Sequence, residues 1–412
     1  MSRLSYEMKL LILLSLTNGV VALERLSASF LSPYLVAELK LSNTQLGLVA
    51  AALSGAVAIG AMLFGRIADS TGNRKTILLV ATIAFSLISG APALVATFGG
   101  LLLARLVLGF AEGPVIPLSQ SLMADVSHPS RRGLNMGILQ MAGAFLIGGT
   151  AGPVIATMIA DTYGWRTAFS VSMLPGLIIA IFLWIVIRPD ASGKPVRPEG
   201  HVELPTMQAI ATLWRIRNVR LSILISGLFA AWVIIQSVFL PVYLTQMKHI
   251  APTTMGWIIG AGGLAGLFGG LGVPAISDFL GRRPVMIACS FLGILAPLVI
   301  LLLPPNPYLL SLTVFFGWMV MGISPLYIGV IPSESAPPGL VTSAIGLTTA
   351  SGELIGGVLG PSVAGKLADT FGLAMPFYVC IGLAVICGGL CCLLRESSSV
   401  VSVSPPSPLP IH

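Results

Sequence analysis

The sequence predicts an all-α membrane protein: twelve transmembrane helices in two pseudo-symmetric six-helix halves. Three observations predict it: an apolar excess with little charge, twelve apolar blocks each long enough to cross a bilayer, and a set of residues recurring at one offset. Of 412 residues, 55% are hydrophobic and 9% charged, against about 25% charged in soluble domains; the mean hydropathy is +0.95. The 22 basic and 15 acidic residues are too few to solvate a water-soluble globule of this size. The apolar residues also come as unbroken blocks rather than amphipathic stripes. A water-soluble fold is excluded.

A bilayer-spanning helix needs about 20 apolar residues. The blocks run over residues 10–36, 45–64, 76–96, 99–123, 134–160, 167–187, 220–246, 254–275, 284–303, 308–331, 341–366 and 374–394. The first follows Arg3 and Lys9 in the manner of a signal sequence. It lacks a small-residue cleavage site and continues through Glu24 and Arg25 to Tyr34, so it reads as the first span. Residues 1–187 and 220–394 are the expected halves. Residues 188–219, carrying Pro189, Pro195, Pro198 and Pro205, form a hydrophilic linker, and the Ser/Pro-rich residues 395–412 a disordered tail.

Loop charge sets the orientation. If both termini are cytoplasmic, sixteen basic residues fall on that side and four (Lys40, Arg166, Lys248, Lys366) on the other, as the positive-inside rule requires of an inner-membrane protein. The net charge of +7 thus reports topology rather than a nucleic-acid partner. The five cysteines lie in apolar segments and read as small buried hydrophobes. All four histidines fall outside the spans, and no metal cluster or nucleotide loop is visible.

The halves repeat. GRIADSTGNRK after the second span contains Asp69 and Gly72; PAISDFLGRRP after the eighth contains Asp278 and Gly281, 209 residues on. Gly148, Gly149, Gly152, Pro153, Asp161 and Gly164 recur 208 residues later as Gly356, Gly357, Gly360, Pro361, Asp369 and Gly372, and Asp125 recurs as Glu334. This double loop motif with the 6+6 arrangement resembles the major facilitator superfamily over residues 8–394. The resemblance implies a transporter working by alternating access, with Gly65, Asp69, Gly72, Arg74, Asp278, Gly281 and Arg282 as its gating motif. Gly65 and Gly72 allow close approach, while Asp69 can accept from a helix N-terminus or pair with Arg74.

Charges at membrane depth carry more information, because each costs about 2.5–3.5 kcal/mol at mid-helix. This chain keeps Glu24, Arg25, Arg105 and Glu112 there, with Glu353 either a further titratable group or an acid near the cytoplasmic end. Glu24 and Arg25 diverge by about 100°. Asn18 shares the face of Arg25, while Arg105 and Glu112 share one face two turns apart, about 10.5 Å, and so can flank an anion. Two readings stay open: ion pairs locking the first span to the fourth, or a coupling device in which Arg stays charged while Glu exchanges a proton.

The E-R of the first span, Arg105-x-x-x-Gly109-x-x-Glu112, Arg131-Arg132-Gly133 and Gly164-Trp165-Arg166-x-x-Phe169 are similar to the anion:cation symporter branch of that superfamily. That resemblance implies proton-coupled uptake of a small organic carboxylate, with Arg25 and Arg105 on the substrate and Glu24 and Glu112 as proton sites. Where that branch more often has Asp, this chain has Glu24. The same E-R with Ala124-Asp125-x-x-x-Pro129-x-x-Arg132 also resembles Spinster-like lipid transporters. Gly148-x-x-x-Gly152-Pro153 resembles the antiporter motif of drug exporters, although its recurrence at Gly356–Pro361 suits close packing with a bend. Gln236 and Tyr243, on a face shared with Trp232, and Tyr327, on one shared with Phe316 and Val320, are the candidate substrate contacts of the second half. An amide facing lipid would be costly, which turns Gln236 toward the cavity. The expected partners are a small organic anion and the bilayer, with the proton as coupling ion, no other cofactor, no enzymatic activity and a monomeric chain. Efflux of drugs or lipids is the alternative.

Overall fold

The computed structural model describes residues 5–128, 131–188 and 206–396. The tail beyond 396, residues 189–205 of the expected linker and Pro129 of the loop motif lie outside the described residues. Among the described residues, eleven helices are long and apolar enough to cross a membrane. In chain order they are α1 (Tyr6–Phe30), α2 (Asn43–Ala68), α3 (Arg74–Leu94), α4 (Phe98–Val126), α5 (Arg132–Tyr163), α6 (Trp165–Val186), α7 (Arg217–Gln246), α8 (Pro252–Leu280), α9 (Arg282–Leu302), α10 (Pro307–Ser335) and, last, α12 (Met375–Cys392). The remaining expected span, α11, is helical over residues 341–371. Thr348, Thr349, Ser351 and Glu353 make it too polar to join the eleven. Within the expected linker, Thr206–Arg215 forms a short helix.

Local chemistry starts and stops these helices. Ser42 caps α2 in a reciprocal capping box with Gln45, Thr97 caps α4, and the Asn306 side chain accepts from the first amides of α10. All six described residues with positive φ fall into three pairs 208 or 209 apart: Lys40 with His249, Gly72 with Gly281, and Gly164 with Gly372. Each pair marks an equivalent turn in the two halves. The repeat is therefore one of backbone conformation as well as sequence.

It extends into the helices. Ala144–Ala151 in α5 and Gly352–Leu359 in α11 are π-helical, immediately before Pro153 and Pro361. A proline lacks the amide its helix would use and clashes with the preceding turn; the wider π turn absorbs that mismatch. The glycines serve close packing, as the sequence suggests. A Cβ on Gly148 would meet Ala22 of α1, on Gly149 the Gly263 backbone of α8, and on Gly356 Ala230 of α7, all within 3 Å. Outward-facing surfaces are apolar: Val80, Ile181, Trp184, Ile185, Tyr378 and Ile386 are exposed, as suits contact with hydrocarbon.

The two ends of the bundle differ. On the side opposite the 2–3 and 8–9 loops, α2 closes on α11 and α5 on α8. A Cβ on Gly47 would sit 2.1 Å from the Pro361 carbonyl oxygen, and one on Gly256 2.3 Å from Thr157 Oγ1. The Asp369 carboxylate accepts from the amides of Asn43 and Thr44 at 2.9 and 2.8 Å, and from Thr44 Oγ1 at 2.6 Å. On the loop-motif side, Gly65, Gly137, Gly272 and Gly346 have nothing within 4 Å of a Cβ position. The two halves are packed together at the end opposite the loop motifs.

Gly47→Val should therefore disfavour this state, because its side chain meets backbone rather than a movable side chain. Overpacking of this kind costs about 1–3 kcal/mol, or roughly 5- to 150-fold in population. A cysteine at Gly346, in a Cys392→Ser background, should react with a maleimide at least about fivefold more slowly once Gly47→Val is added. An unchanged rate would show that the α2–α11 contact does not set the equilibrium.

Candidate functional site

Both motif loops are built around an arginine that makes an ion pair. Arg74, 2% exposed, donates to Asp125 Oδ2 at 2.5 Å and to Ser121 Oγ at 2.9 Å. In the second loop Arg282, one position before the residue that the offset of 209 matches to Arg74, pairs with Asp278 and, at 3.4 Å, with Glu334. Asp125 and Glu334 were themselves matched by the repeat, so each loop ties the start of one helix to the end of the next within its own half. Gly72 and Gly281 supply the positive-φ turns before those arginines. The Asp69 side chain lies outside the described set.

The Gly-Trp-Arg segment between α5 and α6 has a structural role. Gly164 turns with φ +87°, after which Trp165 Nε1 and Arg166 Nη1 both donate to Glu38 in the short helix Ser32–Leu39 that follows α1. The arginine stacks over the Trp165 ring at 4.2 Å. Hydrogen bonds from Trp165 and then Arg166 hold the Glu38 carboxyl below its ordinary range.

At the centre of the bundle, α4 grips two consecutive residues of α1. Arg105 Nη1 donates to the Glu24 carbonyl oxygen at 2.8 Å and Nη2 to Ser27 Oγ at 3.0 Å, its guanidinium lying 5.6 Å from the centre of the Phe169 ring. One face and two turns further along α4, Glu112 Oε1 accepts from Arg25 Nε at 2.6 Å. The second arm of Arg25, Nη1, reaches Glu353 Oε1 on α11 at 3.3 Å. Arg25 thus joins three helices and both halves. The Glu24 carboxylate turns away, accepts weakly from Ser172 Oγ at 3.4 Å, and leaves Oε1 without a partner; Glu112 Oε2 is likewise unpartnered. With every group ionised, Glu24, Arg25, Arg105, Glu112 and Glu353 carry a net charge of −1.

Arg25 and Glu353 also line a cavity of about 330 Å³ between the halves. Its walls come from α1 (Ala22, Leu26, Ser29), α2 (Ala50, Leu53, Ser54), α7 (Ala230, Val233, Ile234, Val238), α10 (Tyr327, Ile328) and α11 (Thr349). Arg25 is the one basic side chain among the lining residues.

Several of the expected substrate residues lie away from the cavity in this structure. Arg105 does not reach the cavity. It is 1% exposed, and the void it shares with Arg25 holds about 20 Å³, room for a water molecule and not for a substrate. Asn18 is buried and donates to the Leu139 carbonyl of α5 at 3.0 Å, fastening α1 rather than facing a ligand. On α7 the cavity face is Ala230, Val233, Ile234 and Val238. Trp232 and Gln236 point into the second half, where Trp232 Nε1 donates to the Gly293 carbonyl and Gln236 Nε2 to the Trp232 carbonyl. An amide can avoid lipid by packing inside a half as well as by facing a cavity. Tyr243 packs against Phe377 of α12, ring centres 4.7 Å apart and tilted. Tyr327 does line the cavity, but Phe316 is 61% exposed on the outer surface, because 3-10 and π turns at Met319–Ile323 and Leu326–Val330 rotate α10 between them. Of the cysteines, Cys392 is exposed and the other four are buried.

Glu353 is the residue the sequence left undecided, and the repeat held a signal for it. FLIGGTAGP at residues 145–153 is answered by ELIGGVLGP at 353–361. An acid replaces Phe145, whose ring packs against Gly266 of α8. Breaking the repeat at the position turned to the cavity marks a difference in task between the halves.

Comparison with known proteins agrees with this architecture. The sequence matches the Major Facilitator Superfamily over residues 14–354 and again over 235–410. It is 28% identical over 393 residues to the multidrug efflux pump Tap of Mycobacterium tuberculosis, covering 90% of each chain. It is 27% identical over 307 residues to the hexuronate transporter of Bacillus subtilis, covering 69% of this chain and 70% of that one. Among solved structures, a mutant of the nucleoside transporter NupG superposes with a TM-score of 0.78 at 17% identity, over 95% of this chain and all of the other. The fold, the repeated loop motif and the family match together establish that this chain is an integral membrane secondary transporter belonging to the major facilitator superfamily.

Proposed function

We propose that the transporter carries out proton-coupled uptake of a small organic carboxylate, with both termini cytoplasmic and the cavity in its inward-open state. The observation that carries this reading is Arg25: a single cation on the cavity wall, held between Glu112 and Glu353. Glu112 is fully buried and close, whereas Glu353 is 26% exposed and more distant. An incoming carboxylate would displace Glu353 from Nη1, and the glutamate left beside that anion would take a proton. Net charge in the site is then conserved on loading, as a coupled carrier requires. Arg105 acts through α1, fixing the Glu24 carbonyl and so the turn that carries Arg25, while Glu112 holds Arg25 Nε in place. The kinship with a hexuronate transporter supports an anionic substrate.

Kinship with Tap and the apolar walls of the cavity support a second reading, efflux of amphiphiles. Purified protein in liposomes under an inward proton gradient separates the two. Carboxylates added outside should trigger proton entry; proton movement opposite to a cationic amphiphile, with silence toward acids, would establish efflux.

A further inference from the structure

The cavity carries a narrower statement, which rests on the carboxylate reading above. Although several lining residues bear hydroxyls, most of those hydroxyls already donate to the protein. Ser226 Oγ gives its proton to the Thr348 carbonyl at 2.8 Å, Ser237 to Val233 at 2.8 Å, Thr349 to Ile345 at 2.9 Å, and Tyr327 to Ser324 Oγ at 3.2 Å. Among the described lining residues, Ser29 and Ser54 are the hydroxyls with no protein acceptor, and both stand on the α1–α2 side near Arg25. The far wall, from Ala230 through Val233 and Ile234 to Ile328, is apolar.

From this we infer that the substrate is a hydroxyl-poor monocarboxylate with an aromatic or alicyclic body, its carboxylate on Arg25 and its ring against α7 and α10. A polyhydroxylated sugar acid would bury several hydroxyls against carbon, and each donor or acceptor left unpaired there is penalised. A second carboxylate would find no second cation and would face Glu353. Size agrees: a cavity of ~150 Å³ holds benzene, so about 330 Å³ admits a one-ring or two-ring acid.

The test uses the full chain in liposomes under an inward proton gradient, with benzoate, cyclohexanecarboxylate, glucuronate, phthalate, benzyl alcohol and a cationic amphiphile as probes. Benzoate and cyclohexanecarboxylate should trigger proton entry, glucuronate at least about 100-fold less efficiently, and phthalate and benzyl alcohol not at all. Glucuronate acting as well as benzoate would overturn the apolar-substrate inference while leaving carboxylate symport intact. Response to the amphiphile alone, with proton exit, would overturn both.

Discussion

Replacing Arg25 with alanine should reduce carboxylate-driven proton entry at least about 100-fold, the largest loss expected from any single change in this protein. The side chain supplies the one positive charge on the cavity wall and bridges Glu112 and Glu353. Its removal has a second consequence that must be separated from the first. Glu112, with none of its side chain exposed, would remain buried without its partner, and breaking a buried pair in this way costs about 3–5 kcal/mol. The single variant should thus be less stable as well as inactive. Adding Glu112→Gln removes the orphaned charge, so the double variant should recover thermal stability in detergent and still fail to transport. Arg25→Lys keeps the charge but not the planar fork that holds two carboxylates at once, and should retain activity reduced about tenfold. Near-wild-type uptake by the stable double variant would show that Arg25 is a structural bridge.

How much of this was legible beforehand depended on whether a feature is periodic. The offset of 208 or 209 identified the paired loops, the Gly-Pro bends and the acids Asp125 and Glu334, and the structure returns each as an equivalent turn, π segment or ion pair. These features follow from one chain doing the same thing twice. Charges at membrane depth were legible because their cost makes them conspicuous, and three of the five, Arg25, Glu112 and Glu353, meet at the centre. What could not be read was direction. Helical spacing puts Arg105 and Glu112 on one face, yet one spends its donors on a backbone carbonyl and the other holds Arg25. Spacing likewise groups Gln236 with Trp232, but the packing of Trp232 against Phe229 and Trp318 turns that face inward. A helical wheel gives relative angles within one helix; the rotation of that helix in the bundle is set by its neighbours, which the sequence does not display.

Glu353→Gln should separate transport from its energy source. In the arrangement proposed here, Glu353 is the partner that leaves Arg25 when substrate arrives, because it is the longer, partly exposed contact at 3.3 Å. Glu112, at 2.6 Å and fully buried, stays. A displaced carboxylate facing a bound anion repels it, and protonation relieves that repulsion, so substrate and proton bind with positive coupling. By linkage the coupling is reciprocal: over the pH range in which loading takes up one proton, each added pH unit weakens substrate binding tenfold. Glutamine fixes the neutral form. The variant should bind substrate with affinity independent of pH and exchange labelled for unlabelled substrate at a rate within a few-fold of wild type. It should also lose accumulation against a gradient, because no proton accompanies the anion. Glu112→Gln, by contrast, removes the carboxylate that orients Arg25 Nε and should lower exchange as well as accumulation. If Glu353→Gln kept proton-driven accumulation with the wild-type pH dependence, the coupling proton would have to reside on Glu112 or Glu24, and Glu353 would serve only to close the cavity across α1 and α11.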